Sequence, residues 1–98
     1  MPFERKVTTA GARTVRIASP LRSYTGGAAK VGADGATLRE VLADLDRRFP
    51  GIRFRMIDEQ DAIRPHIRLY VETREVKSLS EPVGSRETVH IICALSGG

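Results

Sequence analysis

The apolar side chains Leu38, Val41, Leu42, Leu45 and Phe49 recur at i, i+3, i+4, i+7 and i+11. That spacing lines one face of an α-helix. Thr37 stands at the N-cap, and Glu40 completes a capping box in which Thr37 bonds the Glu40 amide and Glu40 reaches back. Arg47 and Arg48 fall in the last turn, where the helix dipole favours a cation. Pro50-Gly51 ends the element. Arg39, Ala43, Asp44, Asp46 and Arg47 form a solvated opposite face. Burying each stripe residue stabilises by roughly 1.5–3 kcal/mol, so the helix must lie across an apolar surface made by the rest of the chain.

That surface reads as a small sheet. Thr14–Ala18 alternates, with Val15 and Ile17 on one side and Arg16 on the other, as a half-buried strand does. Leu21–Gly27 reads as a turn or one helical turn closed by Gly26-Gly27, Ala28–Ala33 as a second strand, and Asp34-Gly35 as a turn. Residues 52–66 are ambiguous: Ile52, Phe54, Met56 and Ile57 are apolar enough to pack beneath the helix end, and Asp58-Glu59-Gln60-Asp61 is a solvated loop. Ile67–Glu72 alternates well, with Ile67, Leu69 and Val71 inward and Arg68, Tyr70 and Glu72 outward. Thr73-Arg74-Glu75 turns the chain, Val76–Leu79 forms a short edge, and Ser80–Glu87 is a loop. Thr88–Ala94 is apolar on both faces, which suits a central strand covered on one side and offering a patch on the other.

The order β-β-α-β-(short β)-β predicts an α+β fold in which one helix crosses a mixed sheet. A helical crossover lets a later strand run parallel to the first. The β-grasp arrangement, with first and last strands adjacent in the centre, satisfies both conditions. A ferredoxin-like fold needs a second long helix, which residues 52–66 do not supply. A chain of 98 residues without Trp makes one domain with an aliphatic core. We assign residues 1–12 to a flexible leader, 13–94 to the domain and 95–98 to a flexible tail.

The domain's last strand runs into Leu95-Ser96-Gly97-Gly98. Two glycines add nothing to a core and are costly to order, so the tail is either an accident of a ragged end or thin for a purpose. Few other residues invite chemistry. Cys93 has no partner cysteine or base placed by the sequence and reads as a small strand residue. His66 and His90 lack a second ligand at metal spacing. Gly26-Gly27 is followed by no Lys-Ser/Thr of a phosphate loop. No apolar run approaches a membrane span and no secretory signal is visible, so the cytoplasm is expected. The net charge is +4, but the arginines are dispersed among acids and lack the aromatic-basic pattern of RNA-binding sheets. An acidic protein partner is expected instead of nucleic acid or a membrane.

The helix Thr37-Leu38-x-Glu40-Val41-Leu42-x-x-Leu45, the β-grasp order and the apolar last strand ending in Gly97-Gly98 resemble the MoaD/ThiS family of ubiquitin-like sulfur carriers, over residues 14–98. Leu21–Gly27 and Ile67–Glu72 resemble its CysO/QbsE-like branch. The sequence departs from the family at Gly84-Ser85-Arg86-Glu87, where an Asp-Gly-Asp turn is usual, and at Cys93, where a proline is common. The resemblance implies a carrier, not an enzyme, that holds no cofactor stably. It implies that a MoeB/ThiF-like enzyme adenylates Gly98 with ATP and magnesium and converts it to a thiocarboxylate. A cysteine-synthase-like enzyme, or a siderophore, molybdopterin or thiamin-type pathway, would take the sulfur, and a metalloprotease would trim the tail. Glycine suits this because it has no Cβ to clash in a partner's pocket. Ile92, Ala94 and Leu95, with Tyr70 and Arg68, are the expected docking surface, and nearby arginines would favour an acidic partner. Two alternatives stand beside it: a ubiquitin-like modifier conjugated through Gly98, and a non-covalent β-grasp module binding through Arg16, Arg53, Arg55 and Arg68.

Overall fold

The computed structural model describes residues 12–94. The expected tail, Leu95 to Gly98, and residues 1–11 of the expected leader lie outside them. Strand β1 (Ala12–Arg16) leads through a 3-10 helix (Ser19–Thr25) into β2 (Lys30–Asp34). Helix α1 (Leu38–Arg48) and the short helix α2 (Ile52–Met56) follow, then β3 (Ile67–Val71), β4 (Arg74–Val76) and β5 (Thr88–Cys93). The sheet order is β2-β1-β5-β3-β4. First and last strands run parallel, side by side, and the other neighbours are antiparallel. This is the β-grasp fold expected from the element order.

Helix α1 buries Leu38, Val41, Leu42 and Leu45 completely against Val15, Leu69, Val71, Val89 and their neighbours on one face of the sheet. Phe49 sits at the C-cap and packs at the core's edge. Thr37 Oγ1 accepts the Glu40 amide at 3.3 Å, as a capping box requires. The Glu40 carboxylate reaches one residue further than expected and accepts the Ala36 amide at 2.7 Å. At Gly35 the backbone passes so close to α1 that a Cβ would stand 2.5 Å from the Val41 nitrogen, at φ +153°.

Several sequence expectations are corrected. Strand β1 starts at Ala12, because its pairing with β2 extends to Asp34. The β3–β4 turn is tighter than expected: Glu72 takes φ +57°, and Arg74 and Glu75 already pair with Val71 and Tyr70. The short edge expected over Val76–Leu79 is instead β4, Arg74–Val76, and the loop after it is a strap. Leu79 and Val83 are buried in it. Its carbonyls at Glu81 and Leu79 accept the first helical amides, Leu38 and Arg39, each at 2.8 Å, partners every helix start lacks internally. The Val83 amide donates to the Ala36 carbonyl, and the Arg13 guanidinium donates to the Val83 carbonyl at 3.1 Å. In α2, Ile52 and Met56 enter the core together with Ile57, but Phe54 points out and is 57% exposed. A single turn can bury only one side, and Ile52 and Met56, four apart, occupy it.

Candidate functional site

The face of the sheet opposite α1 is bare. Even-numbered residues of β5 point to it: Thr88 and His90 half-buried, Ile92 at 46% exposure. Register places Lys30, Arg16, His90, Tyr70 and Glu75 in one row across all five strands. Arg68 stands opposite Ile92 in the next row towards the end of β5. Arg68, Tyr70 and Ile92, three of the expected docking residues, therefore share one surface, and Ala94 is exposed just past the strand end. Cations dominate these two rows: Arg16, Lys30 and Arg68 stand against Glu75 alone. The Arg68 Nε approaches Glu75 Oε2 only to 3.8 Å, and Arg16 makes no ion pair among the described residues.

Beside Ile92 a groove of about 430 Å³ opens between the ends of β1 and β5 and the 3-10 helix. Arg16, Ala18, Pro20, Arg22, His90 and Ile92 are among its lining residues. Arg22 is held there by its Nε, which donates to the Ile17 carbonyl at 3.0 Å. Sequence reasoning missed this groove. The alternation Val15-Arg16-Ile17 signalled the outward Arg16, but no local pattern places Pro20 and Arg22 beside β5.

The strand's end is firmly bonded. Beyond the last ladder pair, Ile67 with Cys93, the Ala94 amide donates to the His66 carbonyl at 2.7 Å. The Cys93 thiol is half-buried beside Ile67, and burial pushes its pKa up, with the charge of Arg55 acting the other way. A thiol in that state stays protonated at neutral pH and is a poor nucleophile. His66 and His90 lie apart, and among the described residues no three His, Cys, Asp or Glu side chains gather as metal ligands. No helix of the described residues is long and apolar enough to cross a membrane. The turn that departs from the family's pattern is closed by Glu87, whose carboxylate accepts the Gly84 amide at 2.9 Å and the Arg74 guanidinium at 3.1 Å.

A helix over one sheet face, a bare basic face on the other and a central last strand leading into a diglycine define a ubiquitin-like β-grasp carrier. The chain belongs to the ThiS family, whose model matches residues 15–98. It is 33% identical over 90 residues to the sulfur carrier protein CysO of Mycobacterium tuberculosis, covering 87% of this chain and 97% of the relative. A chain of the Amycolatopsis orientalis BexX/CysO complex superposes with a TM-score of 0.83 at 36% identity, over 89% of this chain and all of that one. The small archaeal modifier protein 1 of Haloferax volcanii shares the fold, with a TM-score of 0.74 at 16% identity over 87% of this chain and 99% of that one. The chain is a sulfur carrier protein, a carrier of the kind its family defines and not an enzyme.

Proposed function

We propose that the sulfur is carried on the Gly98 carboxylate and that the bare face of the sheet presents this terminus to partner enzymes. One observation carries the reading: β5 is central, bonded as far as Ala94, and flanked there by the Ile92–Arg68 surface. A resonance-stabilised carboxylate resists attack by sulfur. A MoeB/ThiF-like activating enzyme, supplying ATP and magnesium, overcomes this in two steps. The Gly98 carboxylate oxygen attacks the α-phosphorus of ATP and pyrophosphate leaves. Hydrosulfide then attacks the carbonyl carbon of the acyl-adenylate, AMP departs with the former carboxylate oxygen, and a thiocarboxylate remains. Where the donor is an enzyme persulfide, a thiol reductant must cleave the resulting disulfide.

What this chain contributes is positioning. Ile92, Tyr70 and Ala94 offer apolar contact, and Arg68 and Arg16 favour an acidic partner and speed encounter. Leu95, Ser96 and Gly97 supply reach, roughly 13 Å from Ala94 to the terminus at ~3.3 Å per residue. A relative 36% identical is seen in complex with a second protein, BexX, which supports docking on a partner. Sulfur acceptance by a cysteine-synthase-like enzyme fits the likeness to CysO. A siderophore, molybdopterin or thiamin-type acceptor uses the same thiocarboxylate, and a metalloprotease would trim the tail. On this reading all of these reactions are cytoplasmic.

The first step is tested by ATP–pyrophosphate exchange with the purified activating enzyme of the same organism. Exchange is expected with the full chain and not with a chain lacking Gly97 and Gly98. Exchange that survives the deletion contradicts the reading.

A further inference from the structure

We propose that Phe54, Arg55, Arg64 and His66 form a second docking patch, on the opposite flank of the tail's root from Ile92, that receives an acidic segment of the activating enzyme. The proposal rests on the reading of Gly98 as the reacting terminus.

Phe54 is the most exposed large apolar side chain among the described residues, yet it is not loose. The Arg64 guanidinium lies 4.4 Å from the ring centroid, and its Nε donates to the Phe54 carbonyl at 2.7 Å. The ring is thus presented in one orientation, stacked under a cation. Aromatic and arginine side chains of this kind dominate binding energy at interfaces. The four residues line a shallow cleft of about 220 Å³.

Charge identifies the occupant. Cations elsewhere on this side are matched: Arg39 and Arg53 both bind Asp61, at 2.9 and 3.1 Å, and Arg47 and Arg48 bind Asp44. Neither Arg55 nor Arg64 has a carboxylate within ion-pair distance among the described residues. Asp58 feels the charge of Arg64, but its Oδ1 accepts the Gln60 and Ala62 amides at 2.8 and 3.0 Å and the carboxylate makes no ion pair with Arg64 among the described residues. A carboxylate-bearing segment with an apolar side chain to cover Phe54 fits both features.

Position supplies the reason for contact. His66 accepts the Ala94 amide, and the charge of Arg55 is felt at Cys93, so the patch begins where the tail begins. An enzyme that takes in Leu95–Gly98 must close around Ala94. It then meets the Ile92–Arg68 surface on one side and this patch on the other.

The test is calorimetric affinity of the full chain for the purified activating enzyme, at about 0.05 and about 0.3 M salt, which differ in screening length. Arg55→Glu carries the test, since the Arg55 side chain makes no hydrogen bond among the described residues. Arg86→Glu makes the same charge change at the far end of β5, and Phe54→Ser probes the ring. We expect Arg55→Glu to weaken binding about tenfold or more at low salt, as reversing a charge across an interface does, with less loss at high salt. Phe54→Ser should weaken binding at both salts, and Arg86→Glu should leave it unchanged. If pyrophosphate exchange proceeds while Arg55→Glu binds as Arg86→Glu does, the patch is overturned and the Gly98 reading stands. If the wild-type chain supports no exchange, the Gly98 reading falls and takes the patch with it. If Arg55→Glu abolishes binding of a labelled single-stranded RNA but leaves enzyme binding intact, the patch is a nucleic-acid site and the proposal is overturned.

Discussion

The Ala94 amide donates to the His66 carbonyl at 2.7 Å, so β5 remains tied to its neighbour one residue past the last ladder pair. The tail's reach is therefore counted from Ala94. Deleting Ser96 should draw the terminal carboxylate back by roughly 3.3 Å. A misplacement of even ~1 Å can cost about a hundredfold in rate. The expected outcome is adenylation slowed by about that factor or more with KM little changed, because the docking faces are untouched. Steady-state pyrophosphate release measures both parameters.

Ile92 has nearly half its surface in water, opposite Arg68 and away from the core. Replacing it by Asp should leave the thermal midpoint close to that of the parent. The same change should weaken binding to the activating enzyme about tenfold or more, since an unpaired carboxylate would be desolvated at the interface. Thermal melts and calorimetry on one preparation separate the two effects.

Asp44 joins the helix to the β-hairpin. Its Oδ2 accepts the Asp34 amide at 2.9 Å and Arg48 Nε at 2.7 Å, while Oδ1 accepts Arg47. Burial alone would raise its pKa; the Asp34 amide and the two arginines outweigh it and bring it from 3.8 to about 2. The folded value lies below the unfolded one, so the stabilisation is fully present above pH 4 or so and is lost as the pH falls towards 2. Because the arginine partners are exposed and screened by solvent, it is worth on the order of 1 kcal/mol at neutral pH. Asp44→Asn should lose about that much and flatten the acid limb of stability, as urea titrations between about pH 2 and 6 would register.

The helix and the alternating strands were legible because their signals are local. Leu38 to Leu45 repeat with the helical period and Ile67 to Val71 alternate, while Thr88 to Ala94 is apolar on both faces as a central strand with a patch would be, so these elements follow from neighbours in the chain. The same alternation brought out Arg68 and Tyr70, and Ile92 stood out as an apolar residue just before the tail. What stayed hidden depends on residues far apart. Leu79 reads as the end of a short edge and Val83 as a loop residue, and only the helix start and Arg13 make them a strap. Phe54 looks like core, and only the prior claim of Ile52 and Met56 turns it outward. Pro20 and Arg22 join the site because the segment after β1, a turn or one helical turn by sequence, folds as a 3-10 helix starting at Ser19.

Cys93 is a sulfur atom one residue from the tail's root, yet its burial keeps it a thiol. Cys93→Ala should leave the rate and extent of sulfur loading unchanged and lower stability by no more than about 1–2 kcal/mol, the cost of trimming a small half-buried side chain. A loading assay with either variant or parent limiting would register any role the thiol had.

The central claim is that sulfur resides on the C-terminal carboxylate. Intact-mass measurement after incubation with the activating enzyme, ATP, magnesium and sulfide tests it directly, with fragmentation to locate the change. The account predicts a mass increase equal to the difference between a sulfur and an oxygen atom, confined to Gly98 and absent when Gly98 is deleted. An unchanged mass in the presence of an enzyme active on its own carrier, or sulfur located on Cys93, would contradict it.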